Sequence, residues 1–350
     1  MRKNKAILLF VLLVAVLSVL PAASSVISRP AATVNLIRNH MISEAELETE
    51  YQNYVNMGAQ GITRMDVLNT LINNEVFLQG AERDGITVSD RQLDQLYAQA
   101  RANASAQAGR TVTDEEFAAE ATRQFGSVDA YRQALREQYI VNQYVLMSKG
   151  AELQNIPMPT DAEISSFYRQ NQQAFFQAEN VKLAHIYIPK TGDAAEDQAS
   201  RELLEKVASD IHSGAITFER AVSEYSQDNS SKNIGGDIGW LTADNTTARQ
   251  GWGDAFCDAV LSMQPGDVSD VMESNMGYHI VKVSVHNYGK ILSLNDPVSP
   301  EDTATVRDYI SQVLYMNNSQ AAMANAIQEI LQELRAEAQI RILYEENNAE

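Results

Sequence analysis

Among the five histidines, His185 and His279 stand apart because each falls in a stretch with the composition of a β-strand. His185 lies in Val181 to Ile188, where Val181, Leu183, His185 and Tyr187 alternate with Ala184, Ile186 and Ile188. His279 lies in Tyr278 to Val285. A lone strand histidine is most often a hydrogen-bonded core residue, so the pair matters only through its surroundings. Zinc chemistry would need three or four ligands at motif spacing, and neither His-x-x-x-His nor Cys-x-x-Cys occurs. A triad hydrolase would need a Gly-x-Ser-x-Gly elbow, which is also missing. Gly235, Gly236 and Gly239 lack a following Lys-Ser/Thr and do not open a helix, so they read as turn-makers and not as a phosphate cradle. Cys257, the single cysteine, cannot form an intramolecular disulfide and reads as a small core residue.

The two histidines fall in an ordered series of blocks. Leu183-Ala184-His185-Ile186-Tyr187-Ile188 comes first, then Tyr225-Ser226-Gln227-Asp228-Asn229-Ser230-Ser231 and Gly235-Gly236-Asp237-Ile238-Gly239-Trp240. Phe256, Pro265-Gly266-Asp267-Val268-Ser269 and Gly277-Tyr278-His279-Ile280-Val281 follow. From Val181 to Val285 this series resembles the parvulin family of peptidyl-prolyl isomerases. The resemblance implies an FKBP-like α+β fold, with His185 and His279 as the two parvulin histidines and Asp228 at the acidic-or-cysteine position beside them. It implies further that Phe256 and Ile238 line a proline pocket, with Trp252, Met276 and Tyr278 in the substrate-binding set. Trp252 stands where the family usually has Met, Met276 where an aromatic commonly precedes Gly-Tyr-His, and Leu241 to Gly251 is longer than the usual connection.

The chemistry so implied is rotation about an Xaa-Pro amide, whose partial double bond resists turning by roughly 18 to 20 kcal/mol. Such a reaction needs no nucleophile, metal or cofactor. An apolar pocket that grips the ring and disfavours the planar, charge-separated amide lowers the barrier, and a polar floor of His185, His279 and Asp228 orients the carbonyl side.

Elements that would carry this site can be read from spacing. Ser43 with Glu46, Ser89 with Gln92 and Thr113 with Glu116 have the capping-box spacing of helix starts. Val67, Leu68, Leu71, Ile72, Val76 and Leu78 make one helical stripe, Leu93, Leu96 and Tyr97 another, and Tyr131, Leu135, Tyr139, Val141 and Val145 a third. Gly85 and Gly126 mark breaks, with Ser127 a cap. Proline pairs at Pro157/Pro159 and Pro297/Pro300 border an insert of different pattern, entered through a helix that Thr160 and Glu163 cap. Inside the insert, helices are predicted near 195–212, 217–225 and 254–263, and strands over 181–188, 268–272 and 278–285. Beyond it, Ser299 and Pro300 are expected to start a long one-sided helix carrying Val306, Ile310, Val313, Leu314, Ile327, Ile330, Leu331, Leu334 and Leu343 as far as Tyr344. The helices before Pro157 are its expected partner.

The flanks resemble the SurA and PrsA type of exported foldase: 34–47, 66–94 and 131–144 look like its helical chaperone region, completed by the last helix. The expected fold is therefore α+β. A helical SurA-N-like chaperone domain, 30–156 with 299–347, accepts an inserted parvulin domain, 179–290, through a linker and short helix, 157–178. Arg2, Lys3 and Lys5 precede an apolar run from Ala6 to Leu20, then Pro21 and the small residues Ala22, Ala23 and Ser24. That order is expected of a signal peptide over 1–24 that is either cleaved or kept as an inner-membrane anchor. The run is rather short for a spanning helix, which wants roughly 20 residues. A formal charge of −19, from 46 acidic and 27 basic residues, leaves no basic footprint for nucleic acid. In all, the sequence points to a periplasmic or otherwise extracytoplasmic folding factor without metal or cofactor. Its partners are unfolded or nascent exported polypeptides, outer-membrane proteins by the SurA resemblance alone, and it touches a membrane only through an uncleaved N-terminal segment. The alternative is a holding chaperone whose parvulin domain is catalytically silent and binds peptides.

Overall fold

The computed structural model describes residues 28–345. The signal or anchor expected over 1–24 lies outside the described residues. Two compact units form: the described residues up to Met158 and from Tyr315 onward make one, and Pro159–Leu314 make the other.

The first unit opens with strands β1 (Pro30–Asn35) and β2 (Asn39–Ser43), an antiparallel hairpin. Helices α1 (Glu44–Asn56), α2 (Arg64–Arg83), α3 (Asp90–Ala108), α4 (Asp114–Phe125) and α5 (Val128–Leu153) follow. In this unit the hydroxyls expected to cap do so: Ser43, Ser89 and Thr113 form reciprocal boxes with Glu46, Gln92 and Glu116, and the Ser127 side chain accepts from the Ala130 N–H. Thr63 and Asp66 form a further box at α2. A signature restricted to Glu and Gln passes over it, because Asp is one carbon shorter.

The second unit begins with α6 (Asp161–Gln170), capped by Thr160 and Glu163 as expected, and β3 (Phe176–Gln177). It continues through β4 (Asn180–Pro189), α7 (Ala194–His212), α8 (Phe218–Tyr225), β5 (Asp237–Thr242), α9 (Thr246–Trp252), α10 (Asp254–Leu261), β6 (Met272–Glu273), β7 (Gly277–Asn287) and β8 (Lys290–Ile291). Its antiparallel sheet has the order β5-β4-β7-β6, with β4 and β7 at the centre. Both faces of β4 are covered, as its alternation required. Ile186 and Ile188 pack with Leu204, Val207, Phe218 and Val222 of α7 and α8, whereas Val181 and Leu183 pack with Phe256, Cys257 and Val260 of α10. Helix α11 (Val306–Glu337) and strand β9 (Gln339–Ile342) close the chain.

Several expectations need correction. The segment from Val34, read as helical, is the β1–β2 hairpin, and β9 adds to it in the order β2-β1-β9. Short strands hide here because fully buried Gln79 of α2 caps the turn: its Oε1 accepts the N–H groups of Leu36, Ile37 and Arg38. The last helix starts not at Ser299-Pro300 but after Thr305, whose hydroxyl accepts from the Asp308 N–H while Asp308 accepts from the Thr305 N–H. It ends at Glu337, so Leu343 lies beyond it. Val306, Ile310 and Leu314 pack with Ile164, Phe175 and Leu292 of the second unit, so the border expected at 299 falls nearer Leu314. Ala326, Ile330 and Leu334 pack with Val67, Leu68, Ile72, Val76 and Val145 in the core of the first unit. Of the strand expected over 268–272 only Met272 is in a strand, with Val268 making a single bridge to Lys282. The glycine turn expected at Gly235 to Gly239 gives way at Asp237 to the edge strand β5. No helix among the described residues is long and apolar enough to cross a membrane.

Buried carboxyls mark the first unit. Glu75 accepts from Arg38 at 2.9 Å and from Gln79 at 2.7 Å, but Glu137 on the packed helix α5 has only the neutral Gln133 amide at 2.6 Å, and Glu50 Oε1 finds no donor. Burial pushes the Glu137 carboxyl up to about 7, with the Glu75 carboxylate adding to the shift and Gln133 and Arg136 opposing it. A raised carboxyl means the folded state keeps its proton longer than the unfolded chain does. Stability is therefore full below about 4.5 and lost as pH rises through 7. Hydrogen exchange of α5 in the full chain, corrected for intrinsic rates, should show protection falling across that window. Glu137→Gln should flatten the fall and add on the order of 2–3 kcal/mol at pH 8; equal pH slopes in the two proteins would refute the assignment.

Candidate active site

Strand alternation brings the chemistry together. On β4, His185 and Tyr187 share the face of Val181 and Leu183, and on β7 His279 shares the face of Val281 and Val283. The register sets Tyr187 opposite His279, and Met272 of β6 opposite His279 on its other side. Two imidazoles 94 positions apart in sequence thus meet with Nδ1 to Nδ1 at 3.2 Å.

Asp228, in the loop after α8, closes one end of this pair: its Oδ2 lies 3.0 Å from His185 Nε2 and 2.5 Å from Ser231 Oγ. Oδ1 takes the Ser230 hydroxyl at 2.6 Å and the Ser230 N–H at 3.0 Å. Partial burial opposes ionisation of Asp228, but Ser230, Ser231 and His185 together outweigh it and hold the carboxyl well below its usual range. Ser274 closes the other end, its Oγ 2.8 Å from His279 Nε2. That oxygen accepts the N–H groups of Met276 at 3.0 Å and Gly277 at 3.2 Å.

These partners fix the protons. An ionised Asp228 only accepts, so His185 Nε2 carries hydrogen and neutral His185 offers Nδ1 as an acceptor. His279 Nδ1 must then donate to it, leaving His279 Nε2 to accept from the Ser274 hydroxyl. Donation runs one way, from the Met276 and Gly277 amides through Ser274, His279 and His185 to Asp228. Burial lowers His185 and, with the neighbouring His185 adding to the effect, takes His279 down to about 3, so both rings are neutral at ordinary pH.

Above this polar chain lies an apolar wall. The Phe256 ring is 4.7 Å from His279 between centroids, and Trp252 meets Phe256 edge-on at 5.7 Å. Ile238 and Met272 pack against the same cluster. Two glycines admit the close approaches. A Cβ on Gly236 (φ 81) would sit 2.5 Å from the His185 carbonyl oxygen, and one on Gly277 would sit 2.2 Å from the Ile188 oxygen.

The structure therefore gathers His185, Asp228, His279, Ile238, Trp252 and Phe256. It does not gather Tyr278. A one-residue step in β7 turns that ring to the opposite face, where it packs with Ile186, Ile188 and Ile280, so the substrate-binding reading of Tyr278 is corrected. Met276 is 50% exposed and reaches the site through its backbone. Sequence reasoning passed over Tyr187, Ser274, Ser231 and Met272. Tyr187 could have been found, since it stands two residues from His185 in an alternating strand. No spacing rule reveals Ser274, which depends on the turn before β7.

The chain is similar to known proteins in two parts. Residues 185–285 match the PPIC-type PPIASE domain, and residues 1–145 match the SurA-like N-terminal domain. The chain is 26% identical over 290 residues to Chaperone SurA of Alkalilimnicola ehrlichii, covering 79% of this chain and 61% of that protein. It is 36% identical over 114 residues to Chaperone SurA of Salmonella choleraesuis, covering 33% of this chain and 25% of that protein. It thus spans less than two thirds of the length of these relatives. A solved chain from the work on PEB4 and Cj1289, described as structurally related SurA-like chaperones of Campylobacter jejuni, is 16% identical. That match covers 90% of this chain and 99% of the other, with a TM-score of 0.36.

Neutral buried imidazoles make the second unit sensitive to acid. With His279 near 3 when folded and 6.5 when free, the unfolded chain takes up the proton first, so stability is full above about 6.5 and falls toward pH 3. One such histidine sets a slope of about 1.4 kcal/mol per pH unit, and Asp228 adds its own loss below about 4. Exchange protection of β4 and β7 should follow that curve, and His279→Gln should make it shallower between pH 6.5 and 4. A slope untouched by the substitution would contradict the assigned protonation state.

Proposed function

Because the chain carries a PPIC-type isomerase domain behind a SurA-like N-terminal domain, we propose that it is a folding factor that both holds unfolded polypeptides and turns their Xaa-Pro bonds. Holding is assigned to 30–156 with the later turns of α11, and isomerisation to the domain over 179–290. The observation that carries the catalytic half is the one-way hydrogen-bond chain from Ser274 to Asp228 beneath the Phe256 ring.

Neutral imidazoles of fixed tautomer are poor proton acceptors here, and amide rotation asks for no proton transfer. Their work is dipolar. The wall of Phe256, Trp252 and Ile238 would hold the proline ring and keep water from the C–N bond. The planar amide owes its roughly 18 to 20 kcal/mol barrier to charge separation, which an apolar site supports less well than water does. The N–H groups of His185 and His279 are spent within the chain, so with Asp228 they would act on the carbonyl side through the field of their aligned dipoles, which favours the twisted amide over the planar one. Clients are unfolded exported polypeptides, outer-membrane proteins among them, and the protein works outside the cytosol.

One observation favours the silent, holding-only reading. Phe256 is 4% exposed with Trp252 packed edge-on against it, so its ring offers no open surface in this conformation. A cis/trans exchange assay on a short Xaa-Pro peptide separates the two, with aggregation of a chemically denatured protein measured alongside. The full chain should accelerate exchange, and His279→Ala should lose roughly tenfold or more, about 1.4 kcal/mol of barrier, while suppressing aggregation as well as the parent. Exchange no faster with the parent than with His279→Ala would remove the enzymatic reading; loss of aggregation suppression in both would remove the holding one.

A further inference from the structure

Tyr187 lies against both imidazoles and is bonded to the loops at either end of the polar chain without belonging to it. Its ring lies 4.8 Å from His279 and 5.5 Å from His185 between centroids, stacked on the latter at 12°. Its backbone N–H donates to Ser226 Oγ at 3.2 Å and its carbonyl accepts from the Gln227 N–H at 2.7 Å, tying β4 to the loop that presents Asp228. Its hydroxyl donates to the Met276 carbonyl at 3.1 Å. Burial and the Asp228 charge raise the phenol, so it keeps the proton it donates.

The Met276 carbonyl and the Gly277 N–H belong to one planar peptide unit, so fixing one end aims the other. The Lys190 N–H also donates to the Met276 oxygen, at 3.0 Å, and the Gly277 N–H reaches Ser274 Oγ at 3.2 Å. With that oxygen occupied by the Met276 and Gly277 amides, the Ser274 hydroxyl proton goes to His279 Nε2 at 2.8 Å in preference to the Gly277 carbonyl at 3.4 Å. The ring also meets Gly277 from the side: a Cβ there would lie 2.7 Å from Tyr187 Cε2. Side chain and turn therefore fit as a unit.

We infer that Tyr187 is a positioning residue of the isomerase site: its hydroxyl sets the Met276–Gly277 peptide that turns the Ser274 proton onto His279, and its ring covers both imidazoles. The inference rests on the isomerase reading for its kinetic consequence, but not for its structural one. Tyr187→Phe keeps the ring and removes only the link to Met276. Tyr187→Leu removes the link and the aromatic cover.

The test uses the full-length chain with nitrogen-15 labelled histidine. Imidazole nitrogen shifts as a function of pH report the tautomers of His185 and His279, and peptide exchange reports kcat and KM. In the parent, His279 should show a protonated Nδ1 and a bare Nε2 that stay unchanged down to about pH 5. Tyr187→Phe should lower kcat by about two- to tenfold, the range of one hydrogen bond, with KM unchanged. Tyr187→Leu should mix the His279 tautomers and let the ring titrate at higher pH, while exchange protection of β4 shows that the fold persists. If the parent has no isomerase activity, the tautomer shifts still decide the inference. Tautomers and titration unchanged in both variants would overturn it, whatever the kinetics.

Discussion

Two imidazoles facing each other through Nδ1 at 3.2 Å cannot both donate and cannot both be charged. In a buried place this contact survives only if one ring is told to accept and the other to give, and that instruction comes from outside the pair. Asp228 supplies it at one end by being ionised, and Ser274 at the other by having its oxygen filled with backbone N–H groups. Much of the second unit serves this arrangement. The β4–β7 register sets the rings at the right height, the loop after α8 brings a carboxylate already held by two serines, and the turn before β7 brings a hydroxyl whose shortest contact is with His279.

How far this was legible depends on the reach of each interaction. Capping boxes are contained within four residues, and all that were expected are present; the alternation in β4 needs only eight residues and correctly assigned both its faces. The ordered blocks also named His185, Asp228 and His279, which the structure brings together. What escaped depends on partners far away in sequence. β9 is four residues that become a strand only because β1 is there, its Gln339 pairing with Asn35 and its Ile342 with Ala32, and the β1–β2 turn relies on Gln79. Tyr278 was misplaced for a smaller reason: a motif that names adjacent residues ignores that neighbours in a strand face opposite ways, so Tyr278 and His279 cannot both line one site.

The two units treat ionisable groups by a common rule with opposite outcomes. In each, burial favours the neutral form. In the first unit the neutral form is a protonated acid, Glu137, and in the second it is a deprotonated base, His279. Acid therefore reinforces the helical core and strains the imidazole pair, whereas mild alkali does the reverse. The pH range in which both are intact is bounded from above by a carboxyl and from below by an imidazole.

Polar chain and apolar wall share one face of one sheet, and the physical demands of each explain the other. Phe256, Val281 and Leu183 exclude water from the rings, which is why the imidazoles stay neutral and why their hydrogen bonds are strong enough to fix a direction. Exclusion of water is also what the proposed reaction requires, because a planar amide loses the solvation that supports its separated charge. A more polar wall would recharge the imidazoles and restore the amide's barrier together. An apolar floor would leave no aligned dipoles facing the carbonyl while the bond turns. The site is therefore confined to a mixed composition, and the period-two alternation of β4, with His185 and Tyr187 following Val181 and Leu183 on one face, is the simplest backbone that supplies it.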